Sequence, residues 1–282
     1  MDKWIWNRSM LVSLLCVVGL LSLQGCSFLF VRAPGESAPS FEEAGAADAI
    51  LRTLAAYGFE WDGPVWYQSQ RGAAYEAALD RLRAAGLAFD CGCTRREARA
   101  AAEAAGLGNV YPGTCRGGLP AGREPRTLRL RVDDGEWSFI DAVQGRFGQH
   151  LGREVGDFIL RRADGFYAYQ LAVVVDDAAQ GVTHVVRGAD LLDSTPRQNH
   201  LQHCLGMATP GYMHIPVIAS AEGLKLSKQT QAAPLPDHDP LPQLVRALAF
   251  LGQPLPPEGG ALSLDAFWQW AHEVWEGGRV AG

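Results

Sequence analysis

Residues 167–190 read YAYQLAVVVDDAAQGVTHVVRGAD, and this stretch carries the pattern that indicates the fold class. The run Tyr167–Val175 is apolar almost throughout, which predicts a buried strand of a sheet that is covered on both faces. A shorter apolar run, His184–Val186, predicts a second strand, and Arg187 follows it directly. Helical patterns lie on both sides of these two segments, so the chain is expected to be an α/β protein.

Helical periodicity surrounds the two predicted strands. The predicted helices are Asp48–Tyr57, Gly72–Ala85, Thr94–Gly106, a helix that begins at Pro196, Leu241–Leu251 and Leu264–Trp275. Thr94 and Glu97 have the spacing of a capping box, which marks the start of the third helix. Residues 128–132 alternate apolar side chains with arginines and predict a half-exposed strand, and Tyr212–Ala219 predicts another.

The composition sets broad limits on function. The chain has 282 residues, of which 48% are hydrophobic, and it carries a formal net charge of −6. These values exclude a wholly disordered or collagen-like chain, and six cysteines are too few for a disulfide scaffold. The acidic balance argues against nucleic-acid binding through bulk positive charge but leaves room for a local basic groove. The candidates for phosphate contacts are Arg95, Arg96, Arg116, Arg123 and Arg126, with a solvated protein face as the alternative for most of them.

Residues 1–27 have the pattern of an export leader. Met10–Leu23 is an apolar run of about 14 residues, which is short for a membrane span. Small residues precede Cys26, as in a bacterial lipoprotein cleavage site, so the protein is expected to be membrane-anchored through Cys26 if this leader is genuine. A buried helix and an uncleaved anchor are the alternatives. Residues 28–41 include a stretch rich in proline, glycine, alanine and serine and predict a linker.

Three cysteines are spaced so that they can converge on one ion. Cys91 and Cys93 are separated by a single glycine, and Cys115 follows the third predicted helix and a glycine-containing loop. Thiolates favour a soft tetrahedral ion such as Zn²⁺, and a site of this kind would be structural. No histidine lies between Cys93 and Cys115, so a fourth ligand must come from elsewhere, and Tyr111 has the right spacing. Free thiols, or one disulfide in an exported protein, are the alternatives.

Polar residues at the ends of predicted strands form a second candidate site. Arg187 ends one strand, and α/β proteins bind ligands at such strand ends. Lys225 and Lys228 flank a serine on a loop after the last strand, where two cations can contact a triphosphate and neutralise charge that develops in the reaction. A solvated loop is the alternative for the lysines. Tyr169 alone would be an ordinary core aromatic, and Arg187 alone a member of a surface ion pair.

These motifs, in this order, resemble the glutamyl-queuosine tRNA(Asp) synthetase family, a short paralogue of glutamyl-tRNA synthetase. The similar stretches are Tyr67–Arg71, Cys91–Cys93, Tyr111–Gly117, Tyr169–Asp177, Gly181–Thr183, Val186–Leu192 and Lys225–Gln229. The resemblance covers about residues 42–282, and its last stretch is similar to the Lys-Met-Ser-Lys-Ser loop of class I synthetases. It implies a Rossmann-like class I catalytic domain in residues 42–88 and 135–229, a zinc-containing insertion in residues 89–134 and a helical segment in residues 230–282.

The resemblance implies an ATP-dependent ligase. Glutamate would be activated with ATP and Mg²⁺ to an adenylate and then passed to the queuosine base at the wobble position of tRNA(Asp), so the RNA partner would be the anticodon loop. Residue by residue, Tyr169 and Arg187 would bind glutamate, while Lys225 and Lys228 would bind ATP, with Lys228 assisting catalysis. The implied zinc ligands are Cys91, Cys93, Tyr111 and Cys115. The expected protein is a cytoplasmic monomer.

One motif of this family has no counterpart in the sequence. The family begins with a strand and a loop of the type Arg-Phe-Ala-Pro-Ser-Pro-(Ser/Thr)-Gly, followed by a His-x-Gly segment, and backbone amides in this region cradle ATP. The first histidine of this sequence is His150, so the His-x-Gly segment has no counterpart near the N-terminus. Arg32-Ala33-Pro34 resembles only a small part of the loop. The first strand and helix of the nucleotide fold are therefore expected to be missing or replaced by the leader. Either the recorded start is wrong, or the chain is a zinc-stabilised, non-catalytic remnant or binding module that has lost ATP binding.

Overall fold

The computed structural model describes residues 45–218, 235–257 and 262–280. Its helices are α1 (Ala46–Ala56), α2 (Gly72–Ala84), α3 (Arg95–Ala104), α4 (Leu151–Glu154), α5 (Tyr169–Gln180), α6 (Thr195–Leu205), α7 (Leu241–Phe250) and α8 (Leu264–Val274), with 3₁₀ turns at Gln68–Gln70, Ala189–Ser194 and Gly277–Arg279. Its strands are β1 (Ala88–Cys91), β2 (Thr127–Leu130), β3 (Glu136–Asp141), β4 (Gly145–His150), β5 (Ile159–Arg161), β6 (His184–Gly188) and β7 (Gly211–Ile215). Helices and strands alternate, which confirms the predicted α/β class.

The strands form two sheets. Strands β1, β2 and β5 make a three-stranded antiparallel sheet in the order β1-β2-β5. The second sheet has the order β4-β3-β7-β6, in which β3 and β4 are antiparallel and β7 is parallel to both β3 and β6. Helix α6 connects β6 to β7, as expected of a βαβ unit that joins parallel neighbours. The parallel pair β6–β7 is the part of the fold that positions the candidate site.

The prediction of a strand at Tyr167–Val175 is wrong, because most of these residues belong to helix α5. The buried apolar side chains of this helix are Leu171, Ala172, Val174 and Val175. A helix that is buried on several sides lacks a polar face, so its sequence resembles that of a buried strand. Asp176 and Asp177 continue the helix, which reaches a length of 12 residues before Gly181 ends it in a left-handed conformation with φ of 69°. That length is the signal that distinguishes a helix from a strand here.

Strand β2 is buried on both faces, whereas the alternation in residues 128–132 predicted a half-exposed strand. The Arg129 side chain is buried, and its guanidinium carbon lies 3.8 Å from the ring centre of Tyr111. Its Nη1 donates to the carbonyl oxygen of Asp157 at 2.8 Å. The arginine therefore faces another part of the protein instead of solvent, because the segment that carries Tyr111 covers that face of the strand.

The other predicted elements are confirmed to within a few residues. The six predicted helices correspond to α1, α2, α3, α6, α7 and α8, and the strand predicted at His184–Val186 is part of β6. The strand predicted at Tyr212–Ala219 is present but ends at Ile215. The capping box is also present: Thr94 Oγ1 accepts from the Glu97 amide at 3.2 Å, and Glu97 Oε2 accepts from the Thr94 amide at 2.8 Å.

Two large hydrophobic cores stabilise the fold. The first lies between the three-stranded sheet and helices α2, α5 and α6, and its fully buried members include Tyr75, Leu79, Leu130, Leu171 and Leu201. The second joins α1 to the β6–β7 pair and to helices α7 and α8, with Tyr57, Met213, Leu248, Phe267 and Trp268 among its members. The C-terminal helices thus pack against the parallel strands. Across residues 45–218, 235–257 and 262–280, no helix combines the length and apolar character that crossing a membrane requires.

The packing of Trp268 in the second core leaves no room for a side chain at Gly58. This residue has φ of +76°, and a Cβ placed there would lie 2.7 Å from Nε1 of Trp268. The indole is fixed, because it is buried and its Nε1 donates to the Tyr57 carbonyl oxygen at 2.9 Å. We expect Gly58→Ala to lower the free energy of unfolding by about 2–4 kcal/mol, as measured by urea denaturation.

The matched control for this prediction is Gly63→Ala. Gly63 has φ of +71°, but a Cβ there meets no atom within 4 Å, so the substitution adds backbone strain without a steric clash. Its cost should be about 1 kcal/mol. Equal losses for Gly58→Ala and Gly63→Ala would contradict the proposed steric contact with Trp268.

Candidate active site and cysteine cluster

The guanidinium of Arg187 lies buried at the carboxyl end of β6. The residue is only 6% exposed. Its Nε donates to Nε2 of His214 at 3.0 Å, its Nη2 donates to Oγ1 of Thr195 at 2.7 Å, and its Nη1 donates to the hydroxyl of Tyr169 at 3.3 Å. None of these acceptors is a carboxylate, and the described part of the chain contains no ion pair to Arg187. The guanidinium is therefore held by hydrogen bonds to non-carboxylate acceptors, and an anionic ligand can pair with it directly.

A chain of hydrogen bonds from Asp141 through His214 fixes the orientation of the Arg187 guanidinium. His214 Nδ1 lies 2.6 Å from Oδ2 of Asp141, and both residues are buried. Burial alone would raise the pKa of Asp141, but hydrogen bonds from the His214 ring and from the backbone amides of Gln144, His214 and Val143 outweigh burial and lower that pKa. Because Asp141 is a carboxylate, Nδ1 of His214 carries the proton, and Nε2 is free to accept from Arg187. The arrangement fixes the guanidinium without neutralising it.

Four elements converge on this site. Arg187 and His214 are register partners on the parallel strands β6 and β7. Tyr169 is the first residue of α5, and Thr195 is the first residue of α6. Parallel strands place their carboxyl ends at one edge, and the helices that follow or precede them begin there, which is the usual ligand site of an open α/β sheet. Sequence reasoning predicted Tyr169 and Arg187 to share a site, and the structure brings their side chains into contact.

Two acidic residues of α5, Asp176 and Asp177, lie near the site, and the charge of Arg187 acts on Asp177. Burial raises the pKa of Asp177 to about 6, while the nearby charge of Arg187 lowers it and that of Asp176 raises it. Asp176 is engaged in structure: it accepts from Arg71 Nε at 3.0 Å and from the Tyr75 hydroxyl at 2.5 Å. The motif Tyr67–Arg71 therefore connects to the fold through a partly buried ion pair.

Sequence reasoning missed Asp141, Thr195 and His214. Asp141 ends β3 and His214 lies in β7, 73 residues further along the chain. A charged or titratable residue inside an otherwise apolar strand was the available signal, since such residues are buried only when they have a partner. Their mutual contact depends on the pairing of β3 with β7, which no local pattern encodes.

The three predicted metal-binding cysteines form one cluster. The sulfur atoms of Cys91, Cys93 and Cys115 all lie within 4.8 Å of one another, and the pair Cys93–Cys115 is separated by 3.7 Å. The hydroxyl of Tyr111 lies 3.3 Å from the Cys91 sulfur and accepts from the Cys115 amide at 3.0 Å. With Phe89, these residues form a small buried core of their own. The four predicted ligands thus lie together, as the spacing suggested.

The electrostatics of the cluster fit a divalent cation. Burial would raise the pKa of Cys91, but hydrogen bonds from the Tyr111 hydroxyl and the Cys93 amide, together with Arg129, lower it to about 7. Burial and the neighbouring sulfurs of Cys115 and Cys91 raise the pKa of Cys93 to about 12. Crowded thiols resist a second negative charge, and a cation removes that penalty. Tetrahedral Zn–S bonds of about 2.3 Å place two sulfurs about 3.8 Å apart, which matches the 3.7 Å between Cys93 and Cys115.

Two arginines attach the cluster to the rest of the protein. Arg116 follows Cys115 and makes a bidentate ion pair with the buried carboxylate of Asp157, with N–O distances of 2.5 and 2.6 Å. Arg129 stacks on the ring of Tyr111. Arg116 is therefore a structural residue, and among the other candidates for phosphate contacts Arg123 is paired with Glu97 at 3.0 Å.

Several sequence predictions fall outside the described residues. These are the lysines Lys225 and Lys228, the leader with Cys26, and the linker in residues 28–41. The ATP contacts expected of the two lysines stay predictions.

Comparisons with known proteins agree on one family. A family model described as "tRNA synthetases class I (E and Q), catalytic domain" matches residues 37–244. The glutamyl-Q tRNA(Asp) synthetase of Dechloromonas aromatica is 60% identical over 233 residues, which cover 82% of this chain and 77% of that protein. The protein of the same name from Chromobacterium violaceum is 57% identical over 242 residues, which cover 86% and 80% of the two chains.

A solved structure has the same fold. It is a glutamate tRNA ligase from Elizabethkingia meningosepticum in complex with its amino acid, with a TM-score of 0.70 and 20% sequence identity. The similarity covers 98% of this chain, which spans 63% of the length of that ligase. Because these relatives share 57–60% of their residues with the chain over most of its length, and the family model matches residues 37–244, the chain belongs to the glutamyl-Q tRNA(Asp) synthetase family of class I tRNA synthetases.

Proposed function

We propose that this chain activates glutamate with ATP and transfers the glutamyl group to the queuosine base at the wobble position of tRNA(Asp). The observation that carries the proposal is the guanidinium of Arg187, which is buried, oriented and without a carboxylate partner in the described part of the chain. A relative with 60% identity carries the name glutamyl-Q tRNA(Asp) synthetase, which supports the same substrates for this chain.

Glutamate has two carboxylates, and the site must treat them differently. The carboxylate that attacks the α-phosphorus of ATP forms a new C–O–P linkage and releases pyrophosphate. A carboxylate clamped by a guanidinium would be a poor nucleophile, so we assign the side-chain carboxylate of glutamate to Arg187 and the hydroxyl of Tyr169. In the second step a nucleophilic group of queuosine attacks the acyl carbon of the adenylate, and AMP leaves.

This assignment explains selection for glutamate over glutamine. The fixed guanidinium offers only N–H donors. The side-chain carboxylate of glutamate accepts hydrogen bonds from them through two charged oxygens, whereas the side-chain amide of glutamine accepts through one neutral oxygen. Because Asp141 and His214 hold the guanidinium in place, little side-chain entropy is lost when glutamate binds.

The remaining site assignments are part of the same proposal. Lys225 and Lys228 bind the phosphates of ATP with Mg²⁺, and Lys228 assists the first step by neutralising charge on the leaving pyrophosphate. The catalytic domain comprises residues 42–88 and 135–229, with the segment 230–282 following it. The enzyme acts as a cytoplasmic monomer on the anticodon loop.

We propose that Cys91, Cys93, Tyr111 and Cys115 hold a structural zinc ion in the insertion formed by residues 89–134. The ion, when bound, joins the end of β1 to the turn that contains Tyr111 and Cys115. Support comes from the 3.7 Å sulfur separation and from the crowding of thiols whose charges need a cation. The zinc has no part in the chemical steps.

Glutamyl transfer tests the proposed function directly. Purified protein incubated with ATP and radiolabelled glutamate should label tRNA(Asp) that contains queuosine and should leave tRNA(Asp) without queuosine unlabelled. The measurement is acid-precipitable radioactivity over time, with ATP–pyrophosphate exchange followed in parallel. If the folded protein supports neither exchange nor transfer, the chain is a non-catalytic member of the family, and the proposal is wrong.

Metal analysis tests the zinc assignment. We expect about one zinc per chain in the wild type and in Cys204→Ser, which changes a free cysteine of α6 outside the cluster. Cys115→Ser should lose the zinc and melt at a lower temperature, because three ligands bind the ion less tightly than four. A zinc-free wild-type protein that is folded, or a Cys115→Ser variant with full zinc content, would refute the site.

A further inference from the structure

A groove lined by arginines lies beside the three-stranded sheet, outside the two sites described above. It is open to solvent and has a volume of about 380 Å³. Its charged lining consists of Arg83, Arg126, Arg161, Arg162 and Asp90. The groove, called here the arginine groove, thus presents four cations and one carboxylate on a protein whose formal net charge is −6.

The fold brings these arginines together from three separate segments. Arg83 lies in the last turn of α2, Arg126 directly precedes β2, and Arg161 and Arg162 lie at the end of β5. The sheet register places Arg161 opposite Leu128, and Leu128 opposite Asp90. The start of β2 and the end of β5 therefore meet at the same end of the sheet, which forms the floor of the groove.

The arginines of the groove are only partly neutralised by protein carboxylates. Arg83 lies 3.5 Å from Asp80 and 3.8 Å from Asp90, both long distances for an ion pair. Arg161 lies 3.6 Å from Glu76, and Arg162 is paired with Asp164 at 2.5 Å. Arg126 is exposed, and its side chain makes no hydrogen bond or ion pair to any residue that the structure describes. Solvent-accessible pairs at such long distances are weak, so Arg83, Arg126 and Arg161 remain available to an external anion.

A short segment of chain links the arginine groove to the candidate active site. After Arg161 the chain makes a tight turn in which the Arg162 amide donates to the Phe166 carbonyl oxygen at 2.8 Å. The Ala168 amide then donates to the Leu160 carbonyl oxygen at 2.8 Å, and Tyr169 begins α5. The residue before Tyr169 is thus hydrogen-bonded to the residue before Arg161, so one short hairpin carries Arg161 of the groove and leads directly into the helix that begins with Tyr169.

We propose that the arginine groove binds backbone phosphates of the tRNA substrate and so holds the RNA next to the site where its base is modified. This proposal rests on the proposed function. An open groove with cations contributed by separate segments suits a chain of phosphates, whereas a single small anion is usually enclosed by donors that converge on one point. The contacts position the RNA by charge and do not read its sequence.

The test is the affinity of the full chain for tRNA(Asp) at several salt concentrations. In Arg83→Gln/Arg126→Gln the Kd should rise roughly 10- to 30-fold, and the slope of log Kd against log salt should fall by about 2, because each arginine accounts for about one phosphate contact. Both side chains lie on the surface and make no buried contact, so the variant keeps its fold. The control is Arg246→Gln, which removes an exposed arginine of α7 and should match the wild type.

A second double variant keeps the positive charges of Arg83 and Arg126 and tests whether RNA binding depends on charge or on the shape of the arginine side chain. Arg83→Lys/Arg126→Lys should bind tRNA(Asp) within about threefold of the wild type, since phosphate contacts need charge more than the forked geometry of arginine. ATP–pyrophosphate exchange with glutamate should be unchanged in all of these variants. The proposal is overturned if Arg83→Gln/Arg126→Gln keeps the wild-type Kd and salt slope, if the lysine pair binds as weakly as the glutamine pair, or if the wild type does not bind tRNA(Asp). Groove-dependent binding by a protein that transfers no glutamate would count against the proposed function alone.

Discussion

The buried charge of Arg187 is the constraint on which the candidate active site depends. A guanidinium removed from water costs several kcal/mol unless its donors are satisfied. Here neutral acceptors on His214, Thr195 and Tyr169 supply that satisfaction, and Asp141 fixes the imidazole from the other side. The result is an oriented cation that makes no direct ion pair with any residue that the structure describes. Each of these partners comes from a different element, so the site exists only when β3, β6, β7, α5 and α6 are all in place.

The three-stranded sheet depends on a second buried charge. Asp157 accepts from Arg116 in a bidentate pair and from the Val132 amide at 3.0 Å, and its own carbonyl oxygen accepts from Arg129. These bonds connect the cysteine cluster to β2 and to the residues that lead into β5. Since β5 runs into α5, the cysteine cluster, the arginine groove and the glutamate site belong to one continuous framework.

Local patterns in the sequence predicted most of the helices and the cysteine cluster, whereas the family resemblance implied that Tyr169 and Arg187 share a site. Capping chemistry at Thr94 and the spacing of Cys91, Cys93 and Cys115 depend on neighbours along the chain, which a sequence displays directly. The error at Tyr167–Val175 arose because a buried helix and a buried strand share an apolar composition. The contact between Asp141 and His214, and the assembly of the arginine groove, depend on pairing between distant strands. Such pairing follows from the packing of the whole chain and leaves no local signature.

In the proposed function, the fixed guanidinium of Arg187 selects glutamate by its side-chain carboxylate. The most direct measurement is kcat/KM for glutamate and for glutamine in ATP–pyrophosphate exchange, comparing the wild type with Arg187→Lys. Lysine keeps the positive charge but loses the fork that bonds to His214, Thr195 and the ligand together. We expect kcat/KM for glutamate to fall roughly 10- to 100-fold with little change for glutamine. An Arg187→Lys protein that is folded and keeps the wild-type preference for glutamate would contradict the account.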